Sequence, residues 1–169
     1  MRTLYVIRHA KAMRPPGLAD YERPLEVRGR EDAARLGKWL KARSRPVDLV
    51  VHSGAKRAAE TAAILAHAWN GEAPLTISKT LYEAEPEEVM TLVRALSDED
   101  AAVAIVGHNP SFHVFAAELA QMSRGEDADQ LRAKFPTCGA ATFAFDVDSW
   151  RDAVARNAKL EFFVFPRKL

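Results

Sequence analysis

Three short stretches carry the residues whose types and spacing could do chemistry: "RHAKA" at 8–12, "HSGAKRAAETA" at 52–62 and "VGHNPS" at 106–111. They supply Arg8, His9, Lys11, Arg57, His108 and Asn109. An arginine guanidinium presents a planar fork of N–H donors that matches phosphate oxygens, and its charge does not titrate away near neutrality. A histidine held among such cations is biased toward its neutral form, because a further proton would add one more positive charge to the cluster. In that form a ring nitrogen has a lone pair that can attack phosphorus in line and carry the phosphoryl group covalently. The combination suits anion capture and phosphoryl transfer.

Other chemistries find less support. The single cysteine, Cys138, excludes an internal disulfide framework and a multi-thiolate metal centre within one chain. It also lacks the arginine six residues on that a thiolate phosphate-binding loop requires, so it reads as a small packing residue. No glycine-rich dinucleotide fingerprint or Walker loop occurs. "DVDSW" at 146–150 reads as a turn. His52, His67 and His113 are read as structural or exposed, although His52 and His113 lie near enough to the motifs to border a pocket. No metal-ligand spacing stands out.

The elements that must position these groups follow from the apolar pattern. The formal net charge is +1 over 169 residues, which argues against broad nucleic-acid or anionic-membrane binding and makes any positive field local. No apolar run approaches the roughly 20 residues of a membrane span, and no signal-peptide pattern opens the chain, so a cytoplasmic location is expected. Strands are expected at 3–9, about 48–52, 102–107, 141–147 and 160–166, with a short candidate at 74–78. Helical spacing is expected at 29–43, 55–68, 86–96 and 111–121. Residues 13–25 read as a loop, and 122–139 as an irregular or partly helical connection. Strands alternating with helices predict one α/β domain over 1–169: a three-layer α/β/α sandwich with a mainly parallel central sheet. Ligands bind such sheets at the carboxyl ends of the strands, where Arg8, His9 and His108 would stand.

The chain resembles the histidine phosphatase, or phosphoglycerate-mutase-like, superfamily, and within it the short SixA-like phosphohistidine phosphatases. The resemblance rests on the order and separation of "RHAKA", "DYERPLEVRGREDA" (20–33), "SGAKRAAETA", "LYEA" (81–84) and "VGHNPS". It implies that His9 becomes phosphorylated and that Arg8, Arg57 and His108 complete the phosphate pocket. Glu83 falls where many relatives place a carboxylic proton donor. Lys11 and Asn109 are candidate substrate contacts, Lys11 being equally readable as a solvated loop residue. The sequence departs from many relatives at Ala10, where glycine is common, and at Lys11-Ala12, where Glu-Thr is common. The resemblance implies a phosphatase that needs no metal and no organic cofactor. Its expected substrate is phosphohistidine on a protein partner, such as a histidine phosphotransfer protein. The alternatives are a small-molecule phosphomonoesterase or mutase on the same core, and a noncatalytic phosphate-binding module.

Overall fold

The computed structural model describes residues 1–169. Six strands form one sheet: β1 (Arg2–Arg8), β2 (Leu49–His52), β3 (Leu75–Ile77), β4 (Ala102–Gly107), β5 (Ala140–Phe145) and β6 (Ala158–Val164). Their spatial order is β3-β2-β4-β1-β5-β6. β1, β2, β3 and β4 pair in parallel, and β5 is antiparallel to both its neighbours. The sheet is therefore mixed but mostly parallel.

Burial on both faces explains why β1 reads as a continuous apolar run rather than an alternating one. Tyr5 and Ile7 pack under α1 (Val27–Arg43) and α2 (Lys56–Asn70), with Leu36, Leu40, Leu65 and Trp69. Leu4 and Val6 face the other layer with Val89, Val93, Phe112, Phe115 and Leu131. These come from α3 (Pro86–Arg94), α4 (Ser111–Leu119) and α5 (Glu126–Ala133). The result is the expected three-layer α/β/α arrangement. No helix is long and apolar enough to cross a membrane.

The expected elements appear within a few residues of their predicted bounds. The main addition is α5, inside the connection read as irregular or partly helical. The 13–25 loop is more ordered than its three prolines suggest. Ala12 bridges Leu25, Met13 N–H donates to Pro24 O at 2.8 Å, and Glu26 N–H donates to Lys11 O at 2.9 Å. Residues 11–13 and 24–26 thus form a short antiparallel ribbon, with a 3-10 turn at Asp20–Glu22 at its far end. Gly29, in the first turn of α1, packs directly on this ribbon: a Cβ there would lie 2.2 Å from the Lys11 carbonyl oxygen. A side chain at that position would force the ribbon away from the helix.

Candidate active site

The sheet order brings the site together. β1 and β4 are neighbours, with Arg8 paired to Gly107, so the next residues in each strand, His9 and His108, emerge side by side. Their ring centroids are 5.0 Å apart. His9 N–H donates to Gly107 O at 3.0 Å, and Cys138 N–H reaches the carbonyls of both Arg8 and His9. Cys138 is fully buried with φ of 58°, and burial pushes its thiol pKa far up, which makes it a backbone anchor rather than a nucleophile. From α2, Thr61 Oγ1 accepts the Ala10 N–H at 3.0 Å and donates to Arg57 O at 2.7 Å. One hydroxyl therefore ties the segment after His9 to the turn of helix that bears Arg57.

The protonation pattern of His9 can be read from its neighbours. His9 Nδ1 lies 2.8 Å from the Ala10 carbonyl, which can only accept, so Nδ1 carries the hydrogen. Arg57 Nε donates to Nε2 over 3.4 Å, so Nε2 presents its lone pair. Burial is the main reason the His9 pKa is lowered to about 3; His108, Arg57 and Arg8 push it the same way, and the Ala10 carbonyl opposes them. His108 is lowered to about 4, again chiefly by burial and then by Arg57. Both rings are neutral at physiological pH. His9 has the tautomer that a nucleophile at Nε2 needs, with its lone pair directed at Arg57 Nε.

Around them sit fixed donors. Arg8 Nη1 donates to Phe135 O at 3.1 Å, while its Nε is buried without a protein partner. His108 Nε2 is 2.7 Å from Ser53 Oγ, and its Nδ1 is likewise buried and unpartnered. Arg57 is 6% exposed and is gripped through both terminal nitrogens. Nη1 donates to Asp20 O at 2.7 Å and Nη2 to Asp20 Oδ2 at 3.0 Å. Tyr82 donates its hydroxyl to the same Oδ2 at 2.6 Å, and Arg23 Nη1 donates to Oδ1 at 2.9 Å. Tyr82, then Arg23 and Arg57, hold the Asp20 carboxyl well below the usual carboxylate range.

All of this opens into a cleft of about 940 Å³. Its lining includes Arg8, His9, Lys11, Arg57, His108 and Asn109. Eight lysines and arginines line it against two acids, Glu26 and Asp32, although the whole chain carries only +1. No group of three or more histidine, cysteine or carboxylate side chains is arranged to hold a metal ion. A neutral imidazole flanked by the guanidiniums of Arg8 and Arg57 at the cleft suits a phosphate group.

The family model for the histidine phosphatase superfamily, branch 1, matches residues 4–135. The chain belongs to that superfamily. An uncharacterized protein of Mycobacterium tuberculosis is 37% identical over 164 residues, covering 95% of this chain and all of the relative. One from Mycobacterium leprae is 35% identical over 166 residues, with the same coverage. Among solved structures, one assigned as the phosphohistidine phosphatase SixA of Nakamurella multipartitia superposes with a TM-score of 0.85 at 28% identity. It covers 98% of this chain, which covers 96% of it. One assigned as a phosphohistidine phosphatase SixA from Agrobacterium tumefaciens gives 0.79 at 27% identity, covering 96% and 97%. A protein histidine phosphatase SixA complexed with tungstate gives 0.78 at 22% identity, covering 98% and 97%, a likeness of fold.

Within this superfamily member, four of the residues singled out from sequence, Arg8, His9, Arg57 and His108, meet at one point. Lys11 and Asn109 line the same cleft: Lys11 is exposed and 3.9 Å from Glu26, and Asn109 Nδ2 donates to Phe135 O at 2.9 Å. Glu83 is exposed, makes no hydrogen bond or ion pair, and is not part of the cleft lining. His52 is buried and accepts the Gly54 N–H through Nδ1 at 3.1 Å, and His113 bonds Leu131 O. Neither lines the cleft. The sequence reading did not single out Asp20, Tyr82, Ser53 or Thr61. Asp20 and Tyr82 did lie inside the quoted stretches "DYERPLEVRGREDA" and "LYEA", but nothing in their spacing ties either one to Arg57.

Proposed function

We propose that this protein is a metal-independent phosphatase that removes phosphoryl groups from phosphohistidine on a protein partner, through a phosphohistidine intermediate at His9. The observation that carries this reading is the state of the carboxylates around the site. Asp20 is pinned in its charged form by Tyr82, Arg23 and Arg57. Glu26 pairs with Lys11, and Asp32 pairs with Arg35 at 3.4 Å. A carboxylate pinned in its charged form, as Asp20 is, is a poor proton donor, and an alkoxide leaving group needs one. A phosphorylated imidazole does not. When its other ring nitrogen is protonated, breaking the P–N bond returns the bonding pair to nitrogen and releases neutral imidazole.

The steps then balance. His9 Nε2 attacks phosphorus with its lone pair, a P–Nε2 bond forms, and the substrate P–N bond breaks. The His9 Nδ1 hydrogen stays in place, so the ring becomes an imidazolium whose N–H already points at the Ala10 carbonyl. Arg8, Arg57 and His108 stabilise the charge on the transferring oxygens. Phosphorus passes from one imidazole nitrogen to another, so the bond broken and the bond formed are of the same P–N type. Water then attacks phosphorus, P–Nε2 breaks with its electrons returning to His9 as the neutral ring, and both water hydrogens leave on the product as dihydrogen phosphate, which loses one to solvent near neutral pH. Asn109 and Lys11 would contact substrate at the cleft mouth. Glu83, exposed and outside the cleft lining, would take no part in these steps.

The test is a turnover panel with chelator present: phosphoramidate, a phosphohistidine protein, p-nitrophenyl phosphate and an alkyl phosphate. The P–N substrates should be preferred, and acid quenching should lose a label on the enzyme that alkaline quenching keeps. A folded His9→Ala protein should show neither turnover nor label. Retained turnover in His9→Ala would overturn the mechanism, and a preference for small esters would overturn the substrate class.

A further inference from the structure

Beyond the phosphate pocket, the cleft carries cations that the chemistry above does not use. Arg14, Arg28, Lys134 and Arg167 line it, are exposed, and make no ion pair or side-chain hydrogen bond. They come from four separate segments. Arg14 follows the ribbon strand after β1, Arg28 opens α1, Lys134 follows α5, and Arg167 lies in the C-terminal 3-10 turn Pro166–Lys168. That turn is held from both sides. Arg35 Nη2 donates to Leu169 O at 2.8 Å, and Lys168 Nζ donates to Asp127 Oδ1 at 2.7 Å and to Phe163 O at 3.1 Å. Arg167 is therefore presented from a fixed wall.

Four unpaired cations around one opening repel each other, and the fold does not offset them with acids. A bound anionic surface would. Two further features say what kind. Met13 and Val27, each next to one of these arginines in sequence, are large apolar side chains left 44% and 74% exposed. Exposed apolar groups interleaved with cations suit a macromolecular surface, whereas a small bisphosphate has nothing to place against them. We infer that Arg14, Arg28, Lys134 and Arg167, with Met13 and Val27, form a docking rim for an acidic segment of the phosphoprotein substrate. The rim would set which phosphoproteins reach His9. This rests on the phosphoprotein reading above and narrows it to partners with acidic residues flanking the phosphorylated side chain.

The experiment compares two phosphohistidine peptides of the same length, one flanked by glutamates and one by serines and glutamines, with phosphoramidate as a readout of the pocket alone. At low salt the acidic peptide should show a kcat/KM at least about tenfold higher, shrinking as salt screens the rim. The triple variant Arg14→Gln, Arg28→Gln, Arg167→Gln should erase that preference and, at a salt concentration that screens the rim, leave phosphoramidate turnover within about twofold of wild type. Equal turnover of the two peptides, or a preference that survives the triple variant, would overturn the rim. Fluorescence anisotropy with the unphosphorylated acidic peptide separates docking from chemistry. Salt-sensitive binding that the triple variant loses would support the rim even if no P–N substrate were turned over, a result that would sink the proposed chemistry alone. Equal binding of acidic and neutral peptides would overturn the rim whatever the chemistry.

Discussion

The clamp on Arg57 offers a prediction that can be worked through from distances. Arg57 is nearly fully buried, beside His9 and close to Arg8, so it sits among like charge and among rings that must stay neutral. What fixes its orientation is Asp20, with a backbone acceptor at 2.7 Å and a carboxylate oxygen at 3.0 Å, the carboxylate itself held by Tyr82 at 2.6 Å. Asp20→Asn keeps the backbone acceptor and an amide oxygen but removes the charge. A hydrogen bond to a charged group contributes about 1.5–3 kcal/mol, and an exposed ion pair about 0.2–1 kcal/mol. The Asp20 side chain is 53% exposed while Arg57 is buried, which places this pair between those limits, at about 1–2 kcal/mol.

If that orientation is needed where charge builds up on the transferring phosphoryl group, the loss appears in the barrier. A rise of about 1–2 kcal/mol corresponds to roughly a 5- to 30-fold fall in kcat/KM. Tyr82→Phe removes one support of the carboxylate and leaves its charge, so its effect should be smaller, below about fivefold. The assay is steady-state phosphoramidate turnover, with thermal unfolding checked in parallel to confirm that each variant is folded. The contrary outcome is specific. Asp20 occupies both terminal nitrogens of Arg57, so it could instead compete with the incoming phosphate. Asp20→Asn would then bind vanadate more tightly and turn over as fast as wild type or faster, and the positioning argument would be wrong.

Two further expectations follow from the same geometry. His9 and His108 have folded pKa values of about 3 and about 4, below the ordinary 6.5, so between those values and 6.5 the unfolded chain binds protons that the folded chain does not. Stability that is fully present above 6.5 should therefore decline as pH falls toward 4 and then 3, and a double His9→Gln, His108→Gln variant should show a shallower decline of Tm between about pH 7 and about pH 4; parallel slopes would refute the assignment. Glu83 is exposed and outside the cleft lining, so Glu83→Gln should leave a phosphohistidine peptide and an alkyl phosphate both within about twofold of wild type, and a loss confined to the alkyl phosphate would make it a proton donor after all. Equal losses on both substrates would mean that Glu83 acts through charge or positioning.

Much of this was legible before any coordinates, for a physical reason. Carboxyl ends of parallel strands share one edge of the sheet, so "RH" after one apolar run and "GH" after another were enough to put His9 and His108 on that edge, whereas the adjacency of β1 and β4 was not legible. Arg57 follows similarly from the first turn of the helix after β2. The layer arrangement also followed, since a strand buried on both faces has to be apolar throughout. Asp20 and Tyr82 were a different case. Asp20 reaches Arg57 from a loop whose path depends on the ribbon at 11–13 and 24–26, and Tyr82 reaches Asp20 from the segment before α3; neither contact leaves a periodic trace. Thr61 and Ser53 were hidden because one hydroxyl on a helix or at a strand end looks the same whether it ties two backbones together or none. Glu83 was located by resemblance alone, and its exposed position outside the cleft lining is where position in a motif and position in space diverge.

The cations around His9 have a second consequence. In the free protein, burial and the charges of Arg57 and Arg8 oppose protonation of the ring, which keeps the Nε2 lone pair available. In the proposed cycle, phosphorylation would make the same ring an imidazolium, the state those cations disfavour. The phosphoryl group would resolve the conflict by bringing negative charge to Arg8, Arg57 and His108. The Nδ1 hydrogen meanwhile keeps its carbonyl partner at Ala10. The positive wall thus penalises a proton on the empty ring and tolerates a cationic ring only while the phosphoryl group is attached. Once water removes that group, the penalty returns and favours the neutral ring, restoring the nucleophile. Arg8, Arg57 and His108 would in this way bias both ends of the cycle, without any of them changing its own charge.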